Sequence, residues 1–293
     1  MISSKEMYSK SFKEYILSDE TLKKVQGELF KILLDVKYVC EKYDIKYMLA
    51  GGTMLGAVRH KGFIPWDDDI DLFMFREEAV KLVARFREEF PDKYLVAEPL
   101  CDDLYFSKAI KIYKKGTKYV EIPLAGIDAF DMLFVDVFII ENVPANSFMR
   151  KLHWKHYKFV YNAASVCIDY KYPSPIIMEK AKENKDIAEY VNFRRRIGWF
   201  FSHFGGMKYY LRRCEKIGNM KRHTGWVGVP SGSYDNENYP EEILRETTMA
   251  EFCGYEFPIP AAYDTVLGRM FGDYMKIPDP SKRECHVAYK IEI

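Results

Sequence analysis

The sequence predicts an α+β fold, a mixed β-sheet with flanking helices. Apolar residues recur at three- and four-residue steps from Thr21 to Tyr43, which is the periodicity of an amphipathic helix. Acidic and apolar residues alternate from Asp69 to Phe75, which is the periodicity of a strand. A second apolar strand is predicted from Leu133 to Ile140, interrupted by Asp136. Because helical and strand segments follow one another along the first half of the chain, the sequence favours helices packed around a mixed sheet.

The other elements of the core follow from local signals. We expect a short buried strand at Tyr47–Ala50, a helix opened by a threonine cap at Thr53–Arg59, and a loop at Lys61–Trp66. A helix ended by Pro91 is expected at Glu77–Phe90, and a hairpin that turns at Lys114 to Gly116 is expected at Phe106–Val120.

The composition excludes several classes of protein. The 293 residues are 48% apolar and 30% charged, as in a globular chain, and 44 basic residues balance 43 acidic ones, which argues against a nucleic-acid coat protein. We find no apolar run long enough to span a membrane and no secretory signal, so we expect a cytoplasmic protein, with the inner face of the membrane as one location. The six cysteines are too far apart for a metal knuckle, and reduced thiols are expected.

The balanced total conceals an asymmetry. Phe148 to Arg222 carries 17 Lys and Arg against 6 Asp and Glu, and it is predicted to be helical in two or three pieces broken near Pro173, Pro175 and Gly205-Gly206. We therefore divide the chain into a catalytic core (1–145), a basic helical insertion (146–223) and a C-terminal segment that completes the site (224–293). The insertion is interpreted in three ways: a peripheral contact with an anionic membrane, a surface that binds phosphates of a glycan, or an ordinary helical subdomain with solvated charges.

A phosphate site is predicted where the first strand gives way to a helix. Gly51 and Gly52 let an anion approach the free N–H groups of the helix start, and the hydroxyl of Thr53 can donate a hydrogen bond. Arg59 follows on the same short helix, and its planar guanidinium suits a phosphate. These residue types predict a binding site for a phosphorylated ligand.

Three aspartates predict a metal site. Asp69 and Asp71 are two positions apart on a strand, so their carboxylates share a face and repel each other by about 4 kcal/mol at 4 Å and an effective dielectric near 20. Asp136 lies in another apolar strand. A divalent cation with oxygen ligands, Mg²⁺ or Mn²⁺, would offset the repulsion, whereas the alternative is a solvated edge strand.

The segment from Gly51 to Met74 resembles the hallmark of the LicD family, the phosphocholine transferases with a nucleotidyltransferase-like fold. Lys111-Ile112 with Gly116-Thr117, and Phe134 to Phe138 followed by Glu141 to Pro144, resemble the family's next strands. The C-terminal block also resembles the family at Glu251 to Glu256, Pro260, Tyr263-Asp264, Gly272 to Met275, Pro278, Arg283 and His286. The cysteine-rich zinc insertion of some ribitol-phosphate relatives has no counterpart, and Ile139-Ile140 stands where many members have proline.

The resemblance implies transfer of phosphocholine from CDP-choline to a hydroxyl of a cell-surface glycan precursor, of the teichoic acid or lipopolysaccharide type, with release of CMP. It implies that Asp69, Asp71 and Asp136 hold Mg²⁺ and that Gly52, Thr53 and Arg59 grip the diphosphate. Asp136 could also deprotonate the attacking hydroxyl. Two alternatives remain: transfer of ribitol, glycerol or sugar phosphate by the same chemistry, and a non-catalytic nucleotide-binding scaffold.

Further residues are weaker candidates. Lys111 could reach the nucleotide, although a strand lysine is more often solvated, and Trp66 is either a platform for the substrate or part of the core. Arg283 and His286 are candidate substrate-binding residues near the C-terminus. Asp67 and Asp68 are expected to cap the loop and to hydrogen-bond groups around the site. These two extend the acidic run Asp67-Asp68-Asp69.

Overall fold

The computed structural model describes residues 11–232, 237–280, 283 and 287–293. The helices are α1 (Asp19–Lys42), α2 (Gly51–His60), α3 (Arg76–Glu89), α4 (Ser147–Lys171), α5 (Pro175–Glu183), α6 (Lys185–His203), α7 (Gly206–Gly218), α8 (Glu241–Arg245) and α9 (Tyr263–Phe271). The strands are β1 (Met48–Leu49), β2 (Asp71–Phe75), β3 (Tyr94–Ala97), β4 (Ile110–Lys114), β5 (Lys118–Glu121), β6 (Phe134–Asn142), β7 (Trp226–Gly228), β8 (Asn238–Pro240), β9 (Thr247–Phe252), β10 (Tyr255–Pro260) and β11 (Ala288–Glu292).

The central sheet is mixed and confirms the predicted α+β class. Its strand order is β1-β2-β6-β4-β3, and β7 and β8 extend from the far end of β6. The pair β2–β6 is parallel, whereas β1–β2, β4–β6 and β3–β4 are antiparallel. Strand β6 therefore lies between β2 and β4, and its residues have neighbours on both sides.

The predicted hairpin from Phe106 to Val120 is wrong. Gly116 makes the expected turn with φ +80°, but β4 pairs with β3 and β6, and β5 pairs with β11. Ile110 and Ile112 are almost completely buried, as in an interior strand that needs a partner on each edge. Alternation along one strand predicts its faces but not its partner.

Helix α1 covers one face of the sheet. Its apolar positions Val25, Leu29, Ile32 and Val36 are all completely buried in the main core. Each contributes about 1.5–3 kcal/mol of apolar burial, so this face fixes the helix to the sheet. Ser18 caps the helix, accepting a hydrogen bond from the N–H of Thr21 at 3.3 Å.

The basic region is helical, as predicted, with one more break than expected. Besides the breaks at Pro173 and Gly205, Asn184 ends α5 and caps α6 through its side-chain oxygen. Helix α4 packs against both α6 and α7, and α4 and α7 enclose a separate apolar cluster. None of the helices in the described part of the chain has the length and apolarity needed to cross a membrane. Five of the six cysteines lie in that part, and all five are free thiols.

Candidate active site

Three charged residues form one row across the central sheet. In the parallel pair β2–β6, Asp71 lies opposite Asp136, and in the antiparallel pair β4–β6, Lys111 lies opposite the same Asp136. Neighbouring strands are about 4.8 Å apart, so the three side chains are neighbours. The Nζ of Lys111 is 3.1 Å from both carboxylate oxygens of Asp136. Across β2, β6 and β4 the row therefore consists of Asp71, Asp136 and Lys111, two acids followed by a cation.

The pKa of Asp136 in this row is raised well above that of an ordinary aspartate. Burial raises its pKa to about 6, against the opposing effect of Lys111, and the charges of Glu121 and Asp69 act in the same direction as burial. Its Oδ1 is buried, and the ammonium of Lys111 at 3.1 Å is an ion-pair contact without hydrogen-bond geometry. A carboxylate whose Oδ1 accepts no hydrogen bond in such surroundings has capacity for another positive group or for a proton.

The start of α2 adjoins the acids. Gly51 has φ +48°, and a Cβ there would lie 3.0 Å from Oδ2 of Asp71, whereas a Cβ on Gly52 would lie 2.7 Å from Oδ2 of Asp67. Carboxylates therefore approach the helix N-terminus so closely that a side chain at either position would have to displace one of them. The expected threonine cap is wrong: α2 begins at Gly51, and the buried Thr53 hydroxyl accepts a hydrogen bond from the N–H of Asp71 at 2.9 Å. Thr53 thus joins helix to strand.

Asp68 and Asp69 precede β2. Burial alternates from Asp68 to Leu72, so Asp69 and Asp71 are the partly exposed positions on either side of the buried Ile70. The N–H of Asp136 donates to the carbonyl of Ile70 at 2.9 Å, which continues the pairing one residue beyond the strand. Asp68 accepts a hydrogen bond of 2.5 Å from the hydroxyl of Tyr119, the supporting role expected of it.

The structure does not bring Arg59 to the glycines. Arg59 lies eight residues after Gly51 on the same helix, about 12 Å along its axis. Its Nη1 donates to the carbonyl of Tyr274 at 2.6 Å, and its Nε donates to Nε2 of His60. Arg59 therefore connects the end of α2 with the C-terminal segment.

Trp66 and Arg283 do come together. The guanidinium carbon of Arg283 lies 4.1 Å from the ring centroid of Trp66, a cation–π contact across more than two hundred residues of sequence. The ring of His60 meets Trp66 edge-on at 6.5 Å. His286, the other C-terminal candidate, lies outside the described residues.

A cavity of about 400 Å³ opens beside the row. Asp136 and Lys111 form part of its wall, and Lys108, Glu121 and Asp131 add charge. Seven aromatic rings line it: Tyr105, Phe106, Tyr113, Tyr119, Phe130, Phe138 and Tyr161. Burial lowers the pKa of Lys108 to about 8, and its Nζ lies 4.3 Å from the ring centroid of Tyr161. The cavity combines aromatic faces with charges next to the acidic row.

Sequence reasoning missed the cavity residues. They come from several separate segments between Leu104 and Ser231, and no local pattern connects them. The only signal was the abundance of aromatic residues, 46 in total, which does not say where they meet.

The acids suit a hard divalent cation. Carboxylate oxygens are the donors that Mg²⁺ prefers, and Oδ1 of Asp136 is a buried oxygen that accepts no hydrogen bond. Among the described residues, no three His, Cys, Asp or Glu side chains are already arranged as a metal site. Mg²⁺ is usually held by one or two carboxylates together with substrate phosphates and water. The row at Asp71 and Asp136 matches that sparse donor set.

Comparison with known proteins agrees with this geometry. Residues 44–168, which include the row and most of the cavity, match the LicD/FKTN/FKRP nucleotidyltransferase domain. Over 271 residues, covering 91% of this chain and 96% of the relative, the chain is 29% identical to the lipopolysaccharide cholinephosphotransferase LicD of Haemophilus influenzae. A stretch of 40 residues, 14% of this chain and 8% of the relative, is 48% identical to the human ribitol 5-phosphate transferase FKRP. The chain is therefore similar to phosphotransferases of the LicD family, over residues 44–168 by the domain match and over 91% of its length by the Haemophilus relative.

Proposed function

We propose that this protein transfers phosphocholine from CDP-choline to a hydroxyl of a cell-surface glycan precursor, of the lipopolysaccharide or teichoic acid type, and releases CMP. The observation that carries the proposal is the position of Asp136, which belongs both to the acidic row and to the wall of the aromatic cavity. A reacting phosphate at the row would extend its head group into the cavity.

Asp69, Asp71 and Asp136 would hold Mg²⁺ or Mn²⁺. The bound ion would neutralise the diphosphate and the charge that develops on it during an in-line displacement. Lys111 already supplies one positive charge beside Asp136, at 3.1 Å. The N–H groups of Gly51, Gly52 and Thr53 lie at the N-terminus of α2, where the helix dipole is positive. They would add to the positive potential beside the diphosphate.

Asp136 is the group best suited to accept the proton of the acceptor. The acceptor oxygen forms a bond to the choline-bearing phosphorus, the bond from that phosphorus to the CMP oxygen breaks, and the hydroxyl proton passes to a carboxylate. A pKa of about 6 makes Asp136 a stronger base than an ordinary aspartate. Sharing a cation lowers its basicity, so its two roles compete.

The cavity favours choline over the alternative head groups. A quaternary ammonium has no hydrogen-bond donor and is bound by aromatic faces, each worth about 0.5–2 kcal/mol. Three acids line the cavity, Glu121, Asp131 and Asp136, against two lysines, Lys108 and Lys111, so the lining has an excess of negative charge. Ribitol, glycerol or a sugar would instead require many hydrogen-bonding side chains. The Haemophilus relative, whose name is that of a cholinephosphotransferase, supports the same choice.

The test is a panel of donors with the purified protein and MgCl₂. We expect CMP release to be fastest with CDP-choline and slower with CDP-ribitol and CDP-glycerol, and Asp71→Asn is the matched inactive control. Faster release from another donor would reassign the head group. No release from any donor would favour the nucleotide-binding scaffold.

A membrane contact is a further part of this proposal. Large apolar side chains are exposed on the outer faces of the helical region: Phe148, Met149, Leu152, Phe159, Phe193, Trp199, Phe200, Phe204 and Tyr209. Arg212, Arg213 and Lys216 are exposed on α7, on the same face as Tyr209. Exposed aromatic side chains next to basic ones suit an anionic lipid surface. Such a surface would bring the protein to a lipid-linked acceptor.

A further inference from the structure

A second cleft lies at the opposite end of β6 from Asp136. Its volume is about 660 Å³, within the usual range for ligand sites, and it is lined by Ser147, Arg150, Lys151, Trp154, Lys155, Trp226, Asn238 and Arg269. Helix α4 supplies one wall, and β7, β8 and α9 supply the other. We call it the basic cleft.

The charge of the basic cleft is uncompensated. Four of its eight lining residues are cations, and none is an acid. Within the described residues, Arg150, Lys151, Lys155 and Arg269 form no ion pair. Burial and the charge of Arg269 lower the pKa of Arg150, so two guanidinium groups oppose each other across the cleft. Such repulsion is relieved by a bound anion.

Some other cations of the helical region form ion pairs. Lys180 reaches Glu14 at 2.7 Å, Lys182 reaches Glu179 at 2.5 Å, and Arg194 forms an ion pair with Asp169. The four cations of the basic cleft differ from these in sharing one concave surface that has no acidic lining residue.

The cleft also contains two indole rings. The guanidinium carbon of Arg150 lies 3.6 Å from the ring centroid of Trp226, which holds the guanidinium flat. Its Nη1 donates to the carbonyls of Pro144 and Ala145, so Nη2 is left for a ligand. Trp154 lies one turn along α4. Flat aromatic faces suit the C–H faces of a sugar ring, and guanidinium and ammonium groups suit phosphate.

We propose that the basic cleft binds a phosphate-bearing saccharide. Asp136 and Asn142, where β7 begins to pair, are six residues apart on β6, which corresponds to about 20 Å. That separation suits an extended glycan whose phosphorylated part is held away from the reacting hydroxyl. The assignment of this glycan to the acceptor rests on the proposed function, whereas the binding itself does not.

The experiment uses the four tryptophans of the chain as reporters. Glucose 6-phosphate is titrated into protein with ¹⁵N-labelled indoles, and the signals are assigned with Trp154→Phe and Trp226→Phe. We expect saturable shifts of the Trp154 and Trp226 signals, with Trp66 and Trp199 unmoved. Glucose alone and inorganic phosphate should bind more weakly, since each lacks half of the recognised group.

The decisive variant is Lys151→Glu/Lys155→Glu, which alters two exposed side chains without ion pairs in the described structure. It should raise the dissociation constant for glucose 6-phosphate about tenfold or more, because charge-assisted hydrogen bonds are lost. Lys23→Glu/Lys185→Glu makes the same charge change at exposed positions elsewhere and should bind as the wild type does.

Three results would overturn the proposal: no indole shift, equal binding of inorganic phosphate and glucose 6-phosphate, or equal weakening by both double variants. Shifts with anionic vesicles but not with the sugar phosphate would assign the cleft to lipid head groups and would also overturn it. CMP release from CDP-choline is measured in parallel for the wild type and for Lys151→Glu/Lys155→Glu. Absence of CMP release in both proteins would refute the proposed function alone, because the indole shifts are read without turnover.

Discussion

Lys111 and Asp136 lie opposite each other on neighbouring strands, with the ammonium nitrogen 3.1 Å from both carboxylate oxygens. The same ammonium is 3.2 Å from the ring centroid of Phe134. Lys111 is therefore held between an acid and an aromatic face, and it reduces the burial-driven rise in the pKa of Asp136. This pair is the resting form of the acidic row, in which a lysine provides part of the positive charge.

Asp71→Asn should abolish transfer and leave the fold intact. The amide keeps the shape beside Gly51 but removes one of two neighbouring acids, so the unfolding free energy should change by no more than about 1 kcal/mol. Loss of a cation-binding carboxylate should lower the rate about a hundredfold or more. Steady-state CMP release in saturating MgCl₂, with a thermal melt of the same sample, measures both. Asp69→Ala should behave likewise, and activity above about a tenth of wild type in either variant would contradict the metal assignment.

Asp136 should make the protein less stable as pH rises from about 4 to about 6. Its pKa is raised in the folded state, from 3.8 to about 6, so the folded state binds the proton more tightly than the unfolded chain. The stabilisation is complete below the pKa of Asp136 in the unfolded state and is lost as the pH rises past its pKa in the folded state. The free energy of unfolding falls by up to about 3 kcal/mol in this range. Urea unfolding with EDTA measures it, and Asp136→Asn should gain stability relative to wild type across this window.

The same urea unfolding experiment on Lys111→Met tests whether the titration of Asp136 causes this pH dependence. Without the ammonium the pKa of Asp136 should rise further, so the loss of stability should extend to higher pH than in wild type. An unchanged pH dependence in both variants would mean that Asp136 is not the titrating group.

Phe130 provides a test of the head group. It lines the cavity and meets Tyr105 edge-on at a centroid distance of 5.0 Å. Phe130→Leu keeps an apolar side chain but removes one aromatic face, so KM for CDP-choline should rise by about two- to thirtyfold. KM for CDP-glycerol, which has no ammonium, should change little. A similar rise for both donors would indicate lost packing instead of lost cation binding.

The extent to which the sequence predicted this molecule depended on the range of the interactions. Helix α1 and strand β6 were predicted because periodic burial is a local property. The relation of Asp69 to Asp71 was also local, and alternating burial agrees with it. The opposition of Lys111 and Asp136 was not predictable, because strand register is set by partners far apart in sequence.

Arg59 shows how sequence proximity misleads. Its closeness to Gly51 along the chain suggested one phosphate site, but a rise of 1.5 Å per residue carries it to the other end of α2. The three consecutive arginines of α6, Arg194 to Arg196, are a second example in which neighbours in sequence have different surroundings. Arg194 forms an ion pair with Asp169 and donates to Ser165 at 2.7 Å, whereas Arg196 is exposed. Charge clustering in sequence did not reveal which of these cations face solvent.

The membrane contact makes its own prediction. Phe200 and Phe204 are 48% and 65% exposed, and their rings lie 4.7 Å apart near the end of α6. Phe200→Ser/Phe204→Ser should reduce co-sedimentation with phosphatidylglycerol vesicles, because the lost apolar area can no longer enter the interface. Val80→Ser on α3, also an exposed apolar residue at 63%, is the matched control and should sediment as wild type does.

The electrostatic part of that contact is tested with Arg212→Glu/Arg213→Glu, which reverses two exposed charges on α7 and leaves the Arg194 ion pair untouched. Each basic residue near an anionic surface contributes about 1 kcal/mol, so binding should weaken about tenfold or more at low salt, and less as salt screens the attraction. Binding to phosphatidylcholine vesicles should be weak for every variant. Equal binding to neutral and anionic vesicles, or full binding by both double variants, would show that the exposed aromatic face serves another purpose than contact with an anionic leaflet.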